Sequence, residues 1–303
     1  MNKERAGFIA LIGEPNVGKS TLLNKMVGSK VSIVTHKVQT TRARVRGIAL
    51  HDNSQLVFVD TPGLFETKRR LDRAMVASAW GGARDADIVA VLVSANKSDT
   101  QGFKKIIEKL TLEVNAKRVI LVLNKIDRTN SDRILHLVRM LNDYFAFEET
   151  FMVSATKGHG LPLLKNWLAN NMPEGPWLYP VDQIADLPLK VIAADITREK
   201  LILRLHQELP YQLTVETEKW IEKEDGSVLI EQLIYVIRDG HKGIILGKKG
   251  LTIKNIGQES RLELIKFLGM NVHLLLKVKV RPNWQDESAR YSKIGLNFND
   301  GNS

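Results

Sequence analysis

The run GEPNVGKS at Gly13–Ser20 constrains the fold more than any other feature of this 303-residue chain. It follows directly on the apolar stretch GFIALI and precedes a helical pattern, which predicts a loop between a buried strand and a helix. Glycines in such a loop let consecutive backbone N–H groups wrap a phosphate at the helix N-terminus. The predicted phosphate-binding residues are Gly13, Asn16, Val17, Gly18, Lys19, Ser20 and Thr21, with Lys19 at the β- and γ-phosphates.

A second motif, DTPG at Asp60–Gly63, follows a hydrophobic strand, as a loop on the metal side of the phosphates should. Asp60 can hold a Mg²⁺-bound water, and Gly63 can offer its N–H to the γ-phosphate without interference from a Cβ. This motif, in register behind the phosphate loop, predicts a magnesium-dependent nucleotide site.

The segment VTHKVQTTRARVRG between these motifs is predicted to close on the γ-phosphate, with a threonine hydroxyl on Mg²⁺. Thr40 and Thr41 both fit this role, and Thr41 is favoured because an arginine follows it. Order in this segment would then report the presence of the γ-phosphate to partners. The predicted magnesium ligands are Ser20, Thr41 and Asp60.

Two further motifs point to guanine as the base. NKID at Asn124–Asp127 follows the strand RVILVL, and SAT at Ser154–Thr156 follows TFMV. A carboxylate at Asp127 accepts from two guanine N–H groups, whereas adenine presents an acceptor that would repel it. The predicted guanine-binding residues are Asn124, Lys125, Asp127, Ser154 and Ala155, the last through its backbone N–H to the guanine carbonyl oxygen.

The first half of the chain alternates strand and helix patterns. Short apolar runs, expected for strands buried on both faces, lie at 7–12, 56–60, 88–93 and 119–123; helical patterns lie near 19–27, 71–83, 102–114, 132–145 and 161–170. The segment 43–50 pairs with 54–60 through the turn His51-Asp52-Asn53, which adds one antiparallel edge. The first half is therefore predicted to be α/β, with a doubly wound, mostly parallel sheet.

The second half carries a different signal, the stretch HKGIILGKKGLTIKNIG at 241–257. A GxxG loop between two short helical segments lets the backbone approach nucleic-acid phosphates, where lysines add charge. Residues 238–281 hold ten basic and three acidic residues, a net charge of +7; a solvated charged surface is the alternative interpretation. The predicted RNA-binding residues are Gly247, Lys248, Lys249, Gly250 and Ile253.

Other elements of the second half are a predicted strand at 189–195, a helix at 197–208 and strands at 212–222, 228–237 and 272–280. They indicate a smaller α+β domain, and the prolines and glycine of 172–180 indicate a linker before it. The predicted domains are a GTPase domain over 1–172, a linker over 173–188, an RNA-binding domain over 189–296 and a tail over 297–303.

Composition narrows the possible partners and compartment. The chain has no cysteine, which excludes a disulfide framework, thiolate chemistry and cysteine-based zinc sites. Its formal net charge of +10 favours a polyanionic partner, either nucleic acid or an anionic membrane surface. We expect a cytoplasmic monomer without a signal peptide, with peripheral contact to anionic membrane as the alternative.

The motifs together resemble the TRAFAC-class, translation-factor-like GTPases, and within them the Era-like family. The resemblance covers essentially the whole chain and rests on GEPNVGKSTLLN, QTTR, DTPG and NKID, with ITREKL and ELPY before the GxxG domain. It implies GTP hydrolysis with Mg²⁺, a type II KH domain, binding near the 3′ end of small-subunit ribosomal RNA, and a role in small-subunit maturation. A membrane-associated or cell-cycle signalling GTPase is the alternative function.

The catalytic group is left open by the sequence. Ras-like enzymes place a glutamine after the DxxG glycine to orient the attacking water, whereas this chain has Leu64. The family resembled is known for such a hydrophobic replacement, so we expect slow intrinsic hydrolysis. Some relatives use an asparagine at the position of Asn16 to help hold K⁺, and the alternative role of Asn16 is an amide that stabilises the loop.

Overall fold

The computed structural model describes residues 3–37, 40–42, 44–64, 67, 69–97, 100–114, 118–206, 209–293 and 296–301. The chain divides into two compact units. The first comprises Met1–Ser32, Thr41–Asp186 and Gly295–Ser303, and the second comprises Ile33–Thr40 and Leu187–Ile294. Residues 173–186 of the predicted linker thus fall with the first unit. Within the described ranges, no helix has the length and apolar character needed to cross a membrane.

The first unit is built on a six-stranded sheet in the order β2-β3-β1-β4-β5-β6. Among the strand pairs described for this six-stranded sheet, only β2–β3 is antiparallel, and it closes through a tight turn after His51, as predicted. The strands are β1 (Arg5–Ile12), β2 (Val45–His51), β3 (Ser54–Asp60), β4 (Ile88–Ser94), β5 (Arg118–Asn124) and β6 (Glu149–Met152).

Helices cross between the parallel strands, which is the connection that a parallel sheet requires. Their five positions agree with the helical patterns of the sequence. They are α1 (Lys19–Val27), α2 (Arg70–Asp85), α3 (Gln101–Glu113), α4 (Ser131–Tyr144) and α5 (Leu161–Asn171). All seven residues of β3 are buried, which confirms the interpretation of its apolar run as a strand covered on both faces.

This topology brings the four nucleotide motifs to one edge of the sheet. The phosphate loop follows β1, Asp60 ends β3, Asn124 ends β5, and the SAT motif begins two residues after β6. Because β1, β3, β4, β5 and β6 run parallel, their carboxyl ends lie at the same edge. Ligands of open α/β sheets bind at that edge.

The residues after α5 continue along β2 at the sheet margin. The backbone N–H of Ile48 donates to Ile184 at 2.9 Å, and that of Asp186 donates to Arg46 at 3.0 Å. Gln55 adds side-chain hydrogen bonds to the backbone of Leu178 and Tyr179. This stretch therefore occupies backbone groups of an edge strand, which unpaired would favour strand association with other chains.

The second unit is α+β, with a three-stranded sheet in the order β7-β8-β9. β7 and β8 pair antiparallel, with an irregularity between Thr217 and Lys219, and β8 and β9 pair parallel. The elements are α6 (Leu189–Arg204), β7 (Leu213–Glu222), β8 (Val228–Val236), α7 (Asp239–Leu246), α8 (Leu251–Leu268), β9 (Val272–Val280) and α9 (Ser288–Lys293).

The predicted strand at 189–195 is wrong, because these residues form the first half of α6. The β-branched run Val191–Ile192 suggested a strand, yet the buried positions include Ile192 and Ile196, four residues apart as on one helix face. The turn starts at Pro188, whose carbonyl oxygen accepts from the N–H of Ile192 at 3.3 Å. Burial of this face against the sheet outweighed the local β propensity.

The core of the second unit lies between its helices and one face of its sheet. α6, α7 and α8 contribute Leu201, Ile245 and Ile256, and all three are fully buried. Alternate residues of β9 pack on this layer, as the alternation of Val272–Val280 predicted. The order helix-strand-strand-helix-helix-strand therefore presents the GxxG loop between α7 and α8.

Candidate functional site

Two glycines of the phosphate loop are required by close backbone approach. A Cβ on Gly13 would lie 2.6 Å from the carbonyl oxygen of Leu92, and one on Gly18 would lie 2.3 Å from Nδ2 of Asn124. Gly18 also has φ +103°, in the left-handed region that glycine adopts without strain. The loop thus reaches the start of α1 with its backbone unobstructed, which is what a phosphate cradle needs.

Lys19 is the buried cation of this loop. Its ammonium donates to the carbonyl oxygens of Gly13 and Glu14, both at 3.0 Å. Burial lowers the pKa of Lys19 to about 8, and nearby Asp60 and Glu14 partly oppose this shift. Phosphate oxygens would supply the negative charge that favours the ammonium form, so the position suits a phosphate-binding lysine.

Three oxygen-bearing side chains converge beside this lysine. Oδ2 of Asp60 accepts from the hydroxyls of Ser20 at 2.6 Å and Thr41 at 3.3 Å, and these two hydroxyls are 3.0 Å apart. Burial raises the pKa of Asp60. Its Oδ1 is buried without a hydrogen-bond partner among the described residues. An oxygen set with an orphaned carboxylate oxygen fits Mg²⁺ chemically.

The two threonines that the sequence left open are used differently in the structure. The hydroxyl of Thr40 donates to the carbonyl oxygen of Lys37 at 2.7 Å and lies 2.7 Å from that of Thr35. The hydroxyl of Thr41 instead lies beside Ser20 and Asp60. The geometry therefore favours Thr41 as the metal-facing threonine.

Ser32 and Asn24 also serve this centre, and sequence reasoning missed both. The hydroxyl of Ser32 donates to Oδ2 of Asp60 at 2.9 Å. Asn24, one turn into α1, accepts from the backbone N–H groups of Val31 and Ser32 at 2.9 Å each, and donates to the carbonyl oxygen of Ser32 at 2.6 Å. Asn24 thus fixes the loop that delivers Ser32, a role for which the only signal was its place in GKSTLLN.

Asn124 joins three loops of the site. Its Nδ2 donates to the carbonyl oxygen of Val17 at 2.9 Å, in the phosphate loop. Its Oδ1 accepts from the backbone N–H groups of Lys125 at 2.8 Å and Ala155 at 3.0 Å. The predicted tie between the NKID loop and the phosphate loop is present, and a tie to the SAT loop adds to it.

The remaining predicted guanine-binding residues lie on the two loops that Asn124 joins. Oδ1 of Asp127 accepts from the hydroxyl of Ser154 at 2.6 Å, and this hydrogen bond lowers the pKa of the Asp127 carboxyl. Lys125 has a left-handed φ of +64° and donates from its ammonium to the carbonyl oxygen of Asn16. Asp127 is exposed, ionised and oriented, as a receptor for guanine N–H groups should be.

Removing the Asn124 amide tests its role as a tie between loops. We expect Asn124→Ala to lower the free energy of unfolding by about 2–3 kcal/mol, because it leaves several buried backbone groups unpaired. GDP affinity should fall at least about tenfold in the same variant. Denaturant titration and fluorescent-nucleotide binding measure the two effects.

The matched control for this variant is Asn130→Ala. Asn130 caps α4 by accepting from the N–H of Arg133 at 3.0 Å. Its loss should cost about 1 kcal/mol and leave nucleotide affinity unchanged. Equal loss of nucleotide affinity in the two variants would contradict the assigned role of Asn124.

The DTPG loop packs directly on the phosphate loop. A Cβ on Gly63 would lie 2.9 Å from Cα of Pro15, and the N–H of Leu64 donates to the carbonyl oxygen of Gly13 at 3.1 Å. The Leu64 side chain packs against the apolar core of the unit. The Leu64 side chain has no polar atom with which to orient water. Its packing on the core instead holds the DTPG loop against the phosphate loop.

Asn16 has an uncommon backbone conformation. Its φ of +63° is left-handed, a region where asparagine is enriched among non-glycine residues. The conformation turns its carbonyl oxygen to the Lys125 ammonium. The residue therefore connects the phosphate loop to the base-binding loop, whatever else its side chain contacts.

In the second unit, the GxxG loop has the backbone of a nucleic-acid clamp. Gly247, Lys249 and Gly250 have φ of +70°, +53° and +75°, and both Lys248 and Lys249 are exposed. A Cβ on Gly247 would lie 2.0 Å from the Thr252 hydroxyl oxygen, so only glycine fits there. The loop carries two exposed lysine side chains.

Apolar surface flanks this loop. Ile253 is partly buried on the core of the unit, while Ile244 and Leu251 are more than half exposed. A Cβ on Gly257 would lie 3.6 Å from Leu276, so α8 runs close to β9. The surface beside the GxxG loop thus offers apolar side chains against which bases can pack.

Phosphate, magnesium and guanine motifs on an α/β sheet define a P-loop GTPase, and the GxxG unit defines a KH domain. Residues 8–125 match the family described as 50S ribosome-binding GTPase, and residues 208–285 match the KH domain family. The chain belongs to the Era family of GTPases, which hydrolyse GTP. GTPase Era of Dinoroseobacter shibae is 62% identical over 300 residues, covering 99% of this chain and 97% of that protein.

Other relatives agree in sequence and in structure. GTPase Era of Mesorhizobium japonicum is 58% identical over 97% of this chain and 94% of its own length. The crystal structure of Era in complex with MgGDPNP and nucleotides 1506–1542 of 16S ribosomal RNA matches with a TM-score of 0.90 and 36% identity, covering 96% and 99% of the two chains. A variant of Aquifex aeolicus Era bound to GDP·AlF4⁻ matches with a TM-score of 0.88, 36% identity and the same coverage.

Proposed function

We propose that this chain is a GTP-hydrolysing switch that binds small-subunit ribosomal RNA near its 3′ end and acts in maturation of the small ribosomal subunit. The observation that carries the proposal is the presence of a GTP pocket and a GxxG loop in a chain similar, over 96% of its length, to an Era bound to both MgGDPNP and 16S rRNA nucleotides. The accessible lysines of the GxxG loop supply the matching RNA-binding chemistry.

The residues of the pocket divide the work of the switch. Gly63 and Thr41 would contact only the γ-phosphate side, so their contacts would distinguish GTP from GDP, whereas Lys19 would bind the β-phosphate of either nucleotide. Ser20, Thr41 and Asp60 are the residues that would hold Mg²⁺, which when bound would supply positive charge to the phosphates. Since Leu64 orients no water, hydrolysis is slow until a partner completes the site. GTP in the first unit then gates RNA binding by the KH unit.

The test compares the two nucleotide states of the full chain. RNA affinity is measured by fluorescence anisotropy, with a single-stranded fragment from the 3′ end of small-subunit rRNA and saturating GTP analogue or GDP. We expect at least about fivefold tighter binding with the analogue, and stimulation of steady-state GTP turnover by the RNA. Equal affinity in both states would refute gating, and no binding in either would refute the RNA function.

The metal assignment predicts a difference between the two threonines. Thr41→Ala should weaken the GTP analogue about tenfold in Mg²⁺ buffer and leave GDP affinity unchanged, because its hydroxyl acts only in the γ-phosphate state. Thr40→Ala, the matched control, should leave both affinities within twofold. The reverse pattern would assign the metal to Thr40.

The proposal includes K⁺ as an activating ion at Asn16. Carbonyl and amide oxygens suit a monovalent cation, which would add positive charge at the developing phosphate. GTP turnover should be several-fold faster in K⁺ than in Na⁺, and Asn16→Gly should remove the difference. Glycine is chosen because it tolerates φ +63° and deletes only the side chain. Equal turnover in the two salts would exclude this role.

A membrane-associated signalling GTPase is the alternative function, and the net charge of +10 permits binding to anionic lipid. Anionic lipid attracts basic surfaces without base recognition. Co-sedimentation with vesicles of anionic phospholipid at physiological salt distinguishes the two functions. Binding that RNA displaces would identify one shared basic surface, while binding that persists would establish a separate membrane contact. Sedimentation velocity of the protein without vesicles tests our expectation of a monomer.

A further inference from the structure

Residues Ile33–Thr40, called the switch segment below, group with the second unit, which carries the KH domain. The boundary between the two compact units falls between Thr40 and Thr41, with Ile33–Thr40 in the second unit and Thr41 in the first. Thr41 is the threonine beside the magnesium oxygens. A single peptide bond therefore separates a metal-facing residue from a segment packed with the RNA-binding unit.

Two residues of this segment, Val34 and Lys37, anchor it to α6 and to the residue that follows the helix. The backbone N–H of Val34 donates to Oε1 of Glu199 at 2.8 Å. The Lys37 ammonium donates to the carbonyl oxygens of Ile202, at 2.6 Å, and Leu205. Ile202 lies in the last turn of α6 and Leu205 directly follows the helix. At a helix C-terminus the carbonyls lack intrahelical partners and a cation is favoured by the helix dipole.

Burial makes the first anchor specific. Glu199 is 3% exposed, so its carboxylate requires partners to remain buried. One oxygen accepts from Val34, and the other lies 3.6 Å from the Lys200 ammonium. A carboxylate needed only to neutralise Lys200 would not have to point an oxygen at the backbone of another segment.

Hydroxyl hydrogen bonds join the anchors to the metal side. The Thr35 hydroxyl accepts from the backbone N–H of Lys37 at 3.1 Å and lies 2.7 Å from the Thr40 hydroxyl, which also binds the carbonyl oxygen of Lys37. The described part of the segment is thus cross-linked between its anchors and Thr40. The position of Thr41 follows from that of its neighbour.

We infer that Glu199 and Lys37 are positioning residues for GTP binding, which hold the switch segment so that Thr41 reaches the magnesium centre. This inference rests on the proposed function, since it supplies the route by which the RNA-binding unit and the GTP site influence each other. Loss of either anchor frees the segment and lowers the population in which Thr41 is in place. GDP, which needs no contact from Thr41, is unaffected.

The test measures the affinity of the full chain for a non-hydrolysable GTP analogue and for GDP in Mg²⁺ buffer. We expect Glu199→Ala to weaken analogue binding about tenfold, the scale of a hydrogen bond to a charged group, and GDP binding less than twofold. Glu199→Gln retains an amide oxygen acceptor for Val34 and should keep analogue affinity within about threefold of wild type.

Lys37→Met provides a second variant in case Glu199→Ala disturbs folding, since Lys37 is only partly buried. It should also weaken the analogue selectively. Lys25→Met, on the exposed side of α1, removes the same charge from the first unit and should change neither affinity. Thermal unfolding of each variant identifies any that fail to fold.

RNA separates this inference from the proposed gating. With the rRNA fragment, the analogue affinity of wild type should rise at least about fivefold, and this coupling should fall to less than twofold in Lys37→Met. A wild type without coupling would refute the gating, while the analogue-to-GDP ratio of the free variants still decides the positioning role. Coupling in wild type together with wild-type nucleotide affinities in both Lys37→Met and Glu199→Ala would overturn the inference.

Discussion

Asp127→Asn is expected to convert the predicted guanine site into a xanthine site. The substitution replaces one carboxylate oxygen, a hydrogen-bond acceptor, by an amide NH₂ group, a donor. Guanine presents two N–H donors to the carboxylate of Asp127. In the variant the NH₂ group of asparagine faces one of these donors, so that hydrogen bond is lost. GTP affinity should fall at least about 10²-fold. Xanthine has a carbonyl oxygen where guanine has its amino group, so XTP affinity should rise by a similar factor.

The Ser154 hydroxyl makes this prediction sharp. It donates to Oδ1 of residue 127 at 2.6 Å, and an asparagine oxygen can accept the same hydrogen bond. The amide nitrogen is then directed away from Ser154 and toward the side on which the base is expected to bind. Competition binding with non-hydrolysable analogues of GTP and XTP measures the change in both affinities.

Ser154→Ala is the control for this experiment. It keeps the carboxylate and removes only the hydrogen bond that orients it, so GTP affinity should fall about tenfold without any gain of XTP affinity. Unchanged discrimination in Asp127→Asn would mean that other groups read the base.

The fold of the first unit and the position of its motifs could be predicted because both depend on local pattern. Strands buried on both faces leave continuous apolar runs, and functional residues follow at their carboxyl ends. Asp60 and Asn124 each end a strand, and Gly13 follows one, as expected. Adjacency of these strands in the sheet then brings the residues together.

What could not be predicted depends on contacts between distant parts of the chain. Ser32 lies in a loop with no motif, and only folding places its hydroxyl beside Asp60. The run at 189–195 has β-branched residues, and its helical state is decided by burial against the sheet of the second unit. The helix propensities of such residues differ by less free energy per residue than the burial of one apolar side chain contributes.

The packing of Ile33–Thr40 with α6 illustrates the same limit. The sequence assigned VTHKVQTTRARVRG to the GTP site, and Thr41 does lie there. Nothing in that segment signals that Lys37 donates to the end of a helix more than 160 residues later. A hydrogen bond to free helix carbonyls requires no partner of particular side-chain type, so it leaves no mark on the sequence of α6.

Reversing both loop charges, in Lys248→Asp with Lys249→Asp, should lower RNA affinity about 10²-fold at physiological salt. Two lysines that contact phosphates of a single strand contribute about 0.7 each to the slope of log affinity against log salt. We therefore expect the slope to decrease by about 1.4. Aspartate is tolerated at the left-handed φ of Lys249, which limits the change to charge.

A pair of substitutions elsewhere in the same unit decides whether the effect belongs to the GxxG loop. Lys190→Asp with Lys223→Asp makes the same change of net charge at two exposed positions, at the start of α6 and in the turn after β7. If RNA is attracted only by the overall charge of the unit, both pairs weaken binding and shift the salt slope equally, which would refute the clamp. Because the backbone of the loop approaches the phosphates closely, only the first pair should reduce the slope and abolish RNA-stimulated GTP turnover.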